Sequence, residues 1–167
     1  MAVRPILHWP DKRLRTVAEP VAEVTDAVRA HWDDMLDTMY AMPGVGLGAP
    51  QIGVGLRLAV VDCSTVGRAP VRLANPVIIA ASTDTFPHTE ASPCLPGVSA
   101  ELARPRRVTV RYLDADGEVA ERAFEDLWST SVQHQIDHLE GRLFVHRLPD
   151  AKRRRLLEKS RKMRVLR

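Results

Sequence analysis

Apolar residues recur at helical spacing in two segments of the chain. The first segment follows Thr25, a residue type that favours the start of a helix, and its apolar positions are Val28, Trp32, Met35, Leu36 and Met39. The second segment starts near Asp126, which we take as its N-cap, and ends near Gly141; its inward residues are Leu127, Trp128, Val132, Ile136 and Leu139. This spacing predicts two helices that each bury one face.

Four other segments are rich in β-branched residues and partly alternate between apolar and polar positions. They span residues 56–62, 71–76, 107–114 and 118–124. The pair Asp116-Gly117 favours a tight hairpin turn between the last two, so antiparallel strands are expected. Pro43 ends the first helix, and the glycines at positions 44, 46 and 48 open a loop whose backbone a substrate can approach closely. The pattern predicts an α+β fold.

Length and composition are those of one globular domain. The chain has 167 residues, of which 45% are hydrophobic and 27% are charged, and this length suffices for a sizeable core. It has no apolar run near the ~20 residues that span a bilayer, and its N-terminus lacks the hydrophobic core of a signal peptide. We therefore expect a monomeric cytoplasmic protein without membrane contact. The only cysteines are Cys63 and Cys94, which excludes a disulfide framework and favours Cys63 as a free buried thiol.

Positive charge is concentrated at the C-terminus. Residues 151–167 contain nine Lys or Arg and one Glu, whereas the formal net charge of the whole chain is only +3. We divide the chain into a domain at 1–150 and a basic helix or tail at 151–167, with a narrow docking stripe formed by Leu156, Ser160 and Met163. The tail is either a solvated terminal helix or a nucleic-acid contact, because clustered Lys and Arg displace counterions from phosphates.

The candidate chemistry lies on the second helix, in the run V-Q-H-Q-I-D-H-L-E-G. His134 and His138 are four residues apart and project from one helix face, as in the metal-binding pattern H-E-x-x-H. That pattern normally carries a glutamate as general base, and Gln135 stands in its place. A catalytic zinc-type site needs three protein ligands and an open position for water, and Cys94, in a turn rich in Pro and Gly, is the best third candidate. The alternative is that Cys94 is a small buried hydrophobe and the histidines are ordinary surface residues.

A third segment, P-G-V-G-L-G-A-P-Q-I-G at residues 43–53, decides between these interpretations. Together the three segments resemble the motifs of the peptide deformylases, which are G-x-G-L-A-A-x-Q, E-G-C-L-S and H-E-x-x-H, in the same order and with similar gaps. The likeness spans residues 4–150, from the opening I-L-H-W-P-D-K-R-L-R through R-V-T-V-R-Y-L-D-A-D-G. It implies a single domain in which antiparallel β-sheets pack around a central metal-binding helix.

The resemblance also implies a role for each matching residue. The family's metal ligands fall on Cys94, His134 and His138, a set that suits Fe²⁺ or Zn²⁺. Its oxyanion donors fall on the side chain of Gln51 and the backbone N–H of Leu95. The substrate backbone is expected to dock beside Gly44, Val45, Gly46 and Pro93. A basic C-terminal extension can contact the ribosome in that family, so the partners implied are an N-formyl peptide and ribosomal RNA.

Two linked departures from the family pattern concern the catalytic machinery. Gln135 can hydrogen-bond a water molecule but has no basic lone pair at neutral pH. In the second motif Ser92 and Pro93 stand where the family has its acid and its glycine, and the run from Cys94 to Gly97 looks shortened by two residues. A glutamine alone would suit a variant made to trap substrate, whereas two departures favour a natural, divergent paralogue.

Two function classes follow. The first is a metal-dependent hydrolase that removes the formyl group from N-formylmethionyl peptides, or from another N-formyl amide, with activity impaired or altered by Gln135 and the shortened loop. The second is a catalytically inactive paralogue that binds metal, formyl-peptide or ribosome. Asp137, next to the second histidine, is expected to support the site or to pair with an arginine such as Arg104, unless it is a solvated helix charge. His88 lacks ligand spacing and is assigned no role.

Overall fold

The computed structural model describes residues 2–165, which form three α-helices and seven β-strands. In chain order they are α1 (Asp26–Ala41), β1 (Gly46–Gly48), β2 (Leu58–Val61), β3 (Val71–Ala81), β4 (Thr85–Glu90), β5 (Ala100–Pro105), β6 (Arg107–Leu113), β7 (Val119–Glu125), α2 (Asp126–Leu139) and α3 (Asp150–Val165). Short 3₁₀ helices span Lys12–Arg15, Ala49–Ile52 and Phe144–Arg147. No helix in this part of the chain is long and apolar enough to cross a membrane.

The strands form two antiparallel sheets. The larger has five strands in the order β1-β2-β3-β6-β7, and the smaller pairs β4 with β5. Every strand pair is antiparallel, and residues 114–118 turn the chain between β6 and β7, where Gly117 has a φ of 80°. The predicted α+β class with antiparallel strands is confirmed.

Helices cover both faces of the five-stranded sheet. Along β2, Leu58 and Val60 pack in the same apolar cluster as α1, whereas Ala59 and Val61 pack in the cluster that holds α2. Successive strand side chains point to opposite faces, so a strand buried on both faces is apolar throughout. Trp32 anchors α1, since it is fully buried and its indole N–H donates to a strand carbonyl at 3.3 Å. The α2 helix is therefore held between the sheet and the rest of the chain.

The helix ends test the capping predictions. Thr25 caps α1 as predicted, because its side chain accepts a hydrogen bond from the first turn at 3.3 Å. The assignment of Asp126 as the N-cap of α2 is wrong: Glu125 holds the cap position without a side-chain bond, and Asp126 is the first helical residue, with a φ of 52°. Its carboxylate pairs instead with Arg106 at 2.7 Å. Gly141, with a φ of 75°, follows the end of α2 as predicted.

The sequence pattern missed the smaller sheet. No strand was predicted for residues 85–90 or 100–105, and the β3 strand continues to Ala81, beyond the predicted residues 71–76. The β4 strand contains Pro87, a residue that usually argues against a strand because it removes a backbone donor. This sheet matters for function because β4 and β5 carry two charged residues of the site described below.

The basic C-terminal helix α3 is docked on the loop that contains Cys94. Ser160 is 2% exposed and donates a hydrogen bond to the carbonyl of Pro96 at 2.9 Å. Met163 lies against Gly97, where a Cβ atom would come within 2.8 Å of the methionine side chain. The predicted docking stripe is confirmed, and it comprises Leu156, Ser160 and Met163. Removal of this helix would therefore disturb the cysteine loop.

Candidate active site

The α2 helix presents different chemistry on its two sides. Its apolar side packs against the five-stranded sheet through Val132 and Leu139. The other side carries His134, Gln135 and His138, all of which are buried. The imidazole centroids of the two histidines are 5.0 Å apart, as expected for residues one helical turn apart. Both predicted histidine ligands therefore occupy one rigid, sequestered face.

A carboxylate that the sequence interpretation missed orients the first histidine. Glu90, the last residue of β4, accepts a hydrogen bond from Nδ1 of His134 at 2.8 Å. Burial acts to raise the pKa of Glu90, but the hydrogen bonds from His134 and Arg104 outweigh it and hold the pKa below its ordinary value. Because Nδ1 carries the proton, Nε2 keeps its lone pair for another partner. The carboxylate of Glu90 thus supports the site, although Ser92 stands at the position where the family pattern has its acid.

Glu90 belongs to a buried chain of alternating charges. Arg104, on β5, is 2% exposed and binds Glu90 through two hydrogen bonds of 2.6 and 2.9 Å. It also donates to Asp137 at 3.0 Å, and Arg147 binds the same aspartate through two bonds of 2.7 Å. Burial acts to raise the pKa of Asp137, but its arginine partners reverse that effect and lower the pKa. The predicted pairing of Asp137 with Arg104 is confirmed, and Asp137 is not a solvated helix charge.

His138 is the most deeply buried imidazole of the site. It is fully buried, and neither ring nitrogen has a hydrogen-bond partner among residues 2–165. Burial holds the pKa of His138 well below its ordinary value, so the ring is neutral. A buried imidazole with two free nitrogens is costly to maintain unless a ligand completes it. Neutral imidazole is also the form that binds transition metals.

Cys94 and Gln51 meet at the base of the site. The thiol of Cys94 is fully buried, which raises its pKa to about 11. The Gln51 side-chain amide donates to the thiol at 3.5 Å, while its oxygen accepts from the N–H of Gly48 at 2.8 Å. Gly48 also lies against His138, whose Cβ is 3.2 Å from the place of a glycine Cβ. These contacts bring the three predicted motifs into one buried region.

The predicted ligands fit a metal ion in their chemistry. Within residues 2–165, no group of three or more His, Cys, Asp or Glu side chains is already arranged to hold one. The donor chemistry nevertheless suits a transition metal, because a thiol and two imidazoles share this region. The partnerless nitrogens of His138 and the fixed Nδ1 of His134 agree with that fit.

The backbone N–H of Leu95 is already engaged. It donates to the carbonyl of Ser92 at 3.0 Å within the turn, and the N–H of Cys94 donates to the Ser92 hydroxyl at 3.3 Å. In this conformation Leu95 therefore does not offer the oxyanion donor that the resemblance implied. The turn closes on itself because Ser92 accepts both bonds.

The glycine-rich loop lies directly across α2 at Gln135. A Cβ atom on Gly46 would come within 2.5 Å of the Gln135 amide nitrogen and 2.6 Å of the Ser131 hydroxyl. Only glycine fits such an approach without displacing one of them. Ser131 donates to the carbonyl of Val45 at 3.0 Å and ties the loop to the helix. The side-chain oxygen of Gln135 is buried and has no hydrogen-bond partner among the described residues.

A cleft of about 450 Å³ opens above these residues. Its walls are the loop 42–46 on one side and residues 88–93 on the other, and its floor is formed by α2. The cleft brings together most of the predicted substrate and catalytic residues and one predicted metal ligand, His134; the others are Gly44, Val45, Gly46, Gln51, Pro93 and Gln135. Cys94, Leu95 and His138 do not line the cleft and are almost completely buried. His88, to which no role was assigned, also lines it.

Comparison with known proteins identifies one family. The model of the polypeptide deformylase family matches residues 3–154. A peptide deformylase of Phenylobacterium zucineum is 44% identical over 164 residues, which is 97% of each chain. The crystal structure of a peptide deformylase from Ehrlichia chaffeensis covers 99% of this chain and 98% of its own, with a TM-score of 0.93 and 32% identity. One from Legionella pneumophila covers 99% and 97%, with a TM-score of 0.92 and 39% identity.

Proposed function

Because the chain belongs to the peptide deformylase family of metal-dependent hydrolases, we propose that it binds N-formyl peptides at this cleft and hydrolyses them slowly. One observation carries the proposal. Gln135, which follows His134 in the sequence of α2, lines the cleft at the position where hydrolysis calls for a carboxylate. The three ligand residues and the oxyanion residue Gln51 are retained around it, whereas the N–H of Leu95 is engaged in its own turn, so the main component that is lost is the proton carrier. The N-formylmethionyl peptides of nascent proteins are the substrate class that the family implies.

The residues that would hold the metal are Cys94, His134 and His138. A bound Fe²⁺ or Zn²⁺ ion polarises a carbonyl and lowers the pKa of water. Glu90 fixes the ring of His134 through the 2.8 Å hydrogen bond and thereby directs Nε2 away from β4. Arg104 in turn fixes Glu90. Orientation of the first histidine thus depends on residues of the smaller sheet.

The other residues act on the substrate and on water. The Gln51 oxygen is held by Gly48, so its amide N–H groups are directed toward Cys94 and are placed to stabilise negative charge on a formyl oxygen. The exposed edge of the loop 44–46 can align an extended peptide. Gln135 can position a water molecule through its partnerless oxygen, but it cannot accept the proton or return it to the leaving amine. We therefore expect slow turnover of formyl-peptides.

We expect one divalent metal ion per chain, retained through Cys94. The Cys94→Ala variant should lose most of the metal, because the thiolate is one of three protein ligands. Cys63→Ala is the matched control, since Cys63 is also a buried cysteine whose pKa is raised by burial to about 11. Elemental analysis of the three purified proteins tests this. Full occupancy in the Cys94→Ala protein would remove Cys94 from the site.

An inactive, ribosome-binding paralogue is the second candidate function. It is favoured by Gln135 and by the engaged N–H of Leu95. The outward face of α3 supports a ribosomal RNA contact, because its exposed basic residues lie away from the docking stripe; they include Arg154, Arg155, Lys159 and Lys162. A protein that acts on nascent chains at the ribosome would also have to be located in the cytoplasm.

Neutralising these four residues to glutamine should abolish co-sedimentation with ribosomes while α3 stays docked. Binding by the unmodified protein should weaken steeply with salt, because it releases counterions. Truncation is a poor test, since Ser160 anchors the cysteine loop. The double variant of Arg107 and Arg111 to glutamine, on β6, serves as the control for charge loss elsewhere. Equal sedimentation of all three proteins would leave α3 as a solvated helix with a docked face.

A further inference from the structure

The N-terminal segment binds the backbone of two site residues. Leu7 donates a backbone hydrogen bond to the carbonyl of Gln51 at 2.9 Å, and Trp9 donates one to the carbonyl of Cys94 at 3.0 Å. Gln51 and Cys94 are 43 positions apart in the chain and meet through the bond from amide to thiol. Residues 7–9 do not line the cleft, yet they fix these two site residues relative to each other.

The α3 helix holds the turn that follows Cys94. Ser160 is 2% exposed and donates a hydrogen bond to the carbonyl of Pro96 at 2.9 Å. Three residues further along the helix, Met163 lies so close to Gly97 that a Cβ atom there would come within 2.8 Å of its side chain. Residues three apart share one helix face, so a single face of α3 fixes the two residues at the end of the turn.

Arg164 connects α3 to the N-terminal segment. Its guanidinium donates to the carbonyl of Trp9 at 2.9 Å, and the N–H of the same tryptophan binds the carbonyl of Cys94. The Trp9 side chain also packs against the apolar cluster that contains Cys94 and Leu95. The backbone around Cys94 is thus held by two elements from opposite ends of the chain, and these elements also bind each other.

We propose that residues 7–9 and α3 form a clamp that positions Cys94 for the metal ion, with Ser160 as its main positioning residue. The inference rests on the proposed function and deepens it, because it makes metal affinity depend on residues that are not themselves ligands. A group held in place before its partner arrives loses less freedom on binding. Residues that orient metal ligands typically change metal affinity by about 10- to 100-fold.

The Ser160→Ala variant should bind Zn²⁺ about tenfold more weakly than the unmodified protein, or weaker still, because the turn loses the bond that fixes Pro96. Competition with a chromophoric zinc chelator measures the dissociation constant of the full-length protein. Tyr40→Phe is the matched control, since it removes a hydroxyl hydrogen bond of 2.6 Å to Asp62 that is not part of the clamp. This control should keep its affinity for Zn²⁺ even if it loses stability in urea.

The absorption spectrum of the cobalt-loaded proteins tests whether the effect reaches Cys94. A thiolate bound to Co²⁺ gives a charge-transfer band in the near ultraviolet, because Co²⁺ has a partly filled d shell. At saturating Co²⁺ this band should be weaker or shifted in the Ser160→Ala protein and unaltered in the Tyr40→Phe protein. A general loss of stability would not change the band of the folded, loaded protein.

The Arg164→Met variant tests the link between the two ends of the chain. It removes the bond to the Trp9 carbonyl and should weaken Zn²⁺ binding about twofold or more, as expected for one net hydrogen bond. The loss of a positive charge favours the binding of a cation, so the charge alone would change the affinity in the opposite direction. Unchanged or tighter binding would overturn the part of the clamp assigned to residues 7–9.

The outcomes separate this inference from the proposed function. Equal Zn²⁺ affinity of the Ser160→Ala and unmodified proteins would overturn the inference and leave the proposed function standing. An unaltered cobalt band in the Ser160→Ala protein would also overturn it, since the effect would not act through Cys94. If the unmodified protein binds no Zn²⁺, or its cobalt form lacks the thiolate band, the proposed metal ligands fail and the inference fails with them.

Discussion

Replacing Arg104 with leucine should lower the free energy of unfolding by about 3–5 kcal/mol, the usual effect of removing one partner from a buried charge network. Arg104 is 2% exposed and joins Glu90 to Asp137. Its loss would leave Glu90 with only His134 and would remove one of the two arginines from Asp137. Both carboxylates would stay buried with less opposite charge and fewer hydrogen bonds to stabilise them.

Urea unfolding of the metal-free proteins measures this difference. Arg107→Leu is the control, because Arg107 lies on the next strand along the chain and pairs with Glu125 at 2.8 Å with both side chains more than half exposed. Exposed pairs of this kind contribute about 0–1 kcal/mol. If the free energy of unfolding falls no further in the Arg104→Leu protein than in the control, the buried pairs do not stabilise the fold. We also expect weaker metal retention in Arg104→Leu, since Glu90 would hold His134 less firmly.

Restoring a carboxylate with Gln135→Glu should raise the turnover of a formyl-peptide by about 10² to 10⁴, the range of a positioned acid or base. This corresponds to roughly 3–5 kcal/mol of activation free energy at about 1.36 kcal/mol per decade. The substitution is nearly isosteric, so the close approach of Gly46 to this side chain can be kept. Formate release under saturating peptide is the measurement.

A matched control distinguishes a missing proton carrier from a misshapen site. Gln135→Ala removes the amide without supplying a base and should not raise turnover. If Gln135→Glu also has little effect, the turn that engages the N–H of Leu95 has reshaped the groove as well. In that case the loop that follows Cys94 limits the reaction, and the carboxylate alone cannot restore it.

Local spacing was sufficient to predict the platform of the site. The helix-forming period placed both histidines on one face of α2, and the same pattern predicted α1 and its buried face. Gly46 was predicted to permit the close approach of a substrate, and the structure shows that its backbone also lies against Gln135 of α2, a contact that was not predicted. The helices and the glycine loop depend on residues close together in the chain, where periodicity and turn chemistry carry the information.

The supporting charges could not be predicted in the same way, except for the pair of Asp137 and Arg104. Glu90 lies 44 residues before His134 and 14 before Arg104, and no local period connects such distant partners. The strands that carry Glu90 and Arg104 were missed because Pro87 interrupts the first of them. The hydrogen bond that engages the N–H of Leu95 was not predicted for a related reason, since the short turn through Ser92 is visible only in three dimensions.

The central claim is that the chain retains a formyl-peptide site whose main deficit is the lack of an efficient proton carrier. It is tested most directly by mixing a formyl-peptide with the metal-loaded protein and measuring bound peptide and released formate in the same sample. We expect saturable binding together with formate release at least about 10² slower than by Gln135→Glu. Formate release by the unmodified protein as fast as by the Gln135→Glu protein would contradict the claim.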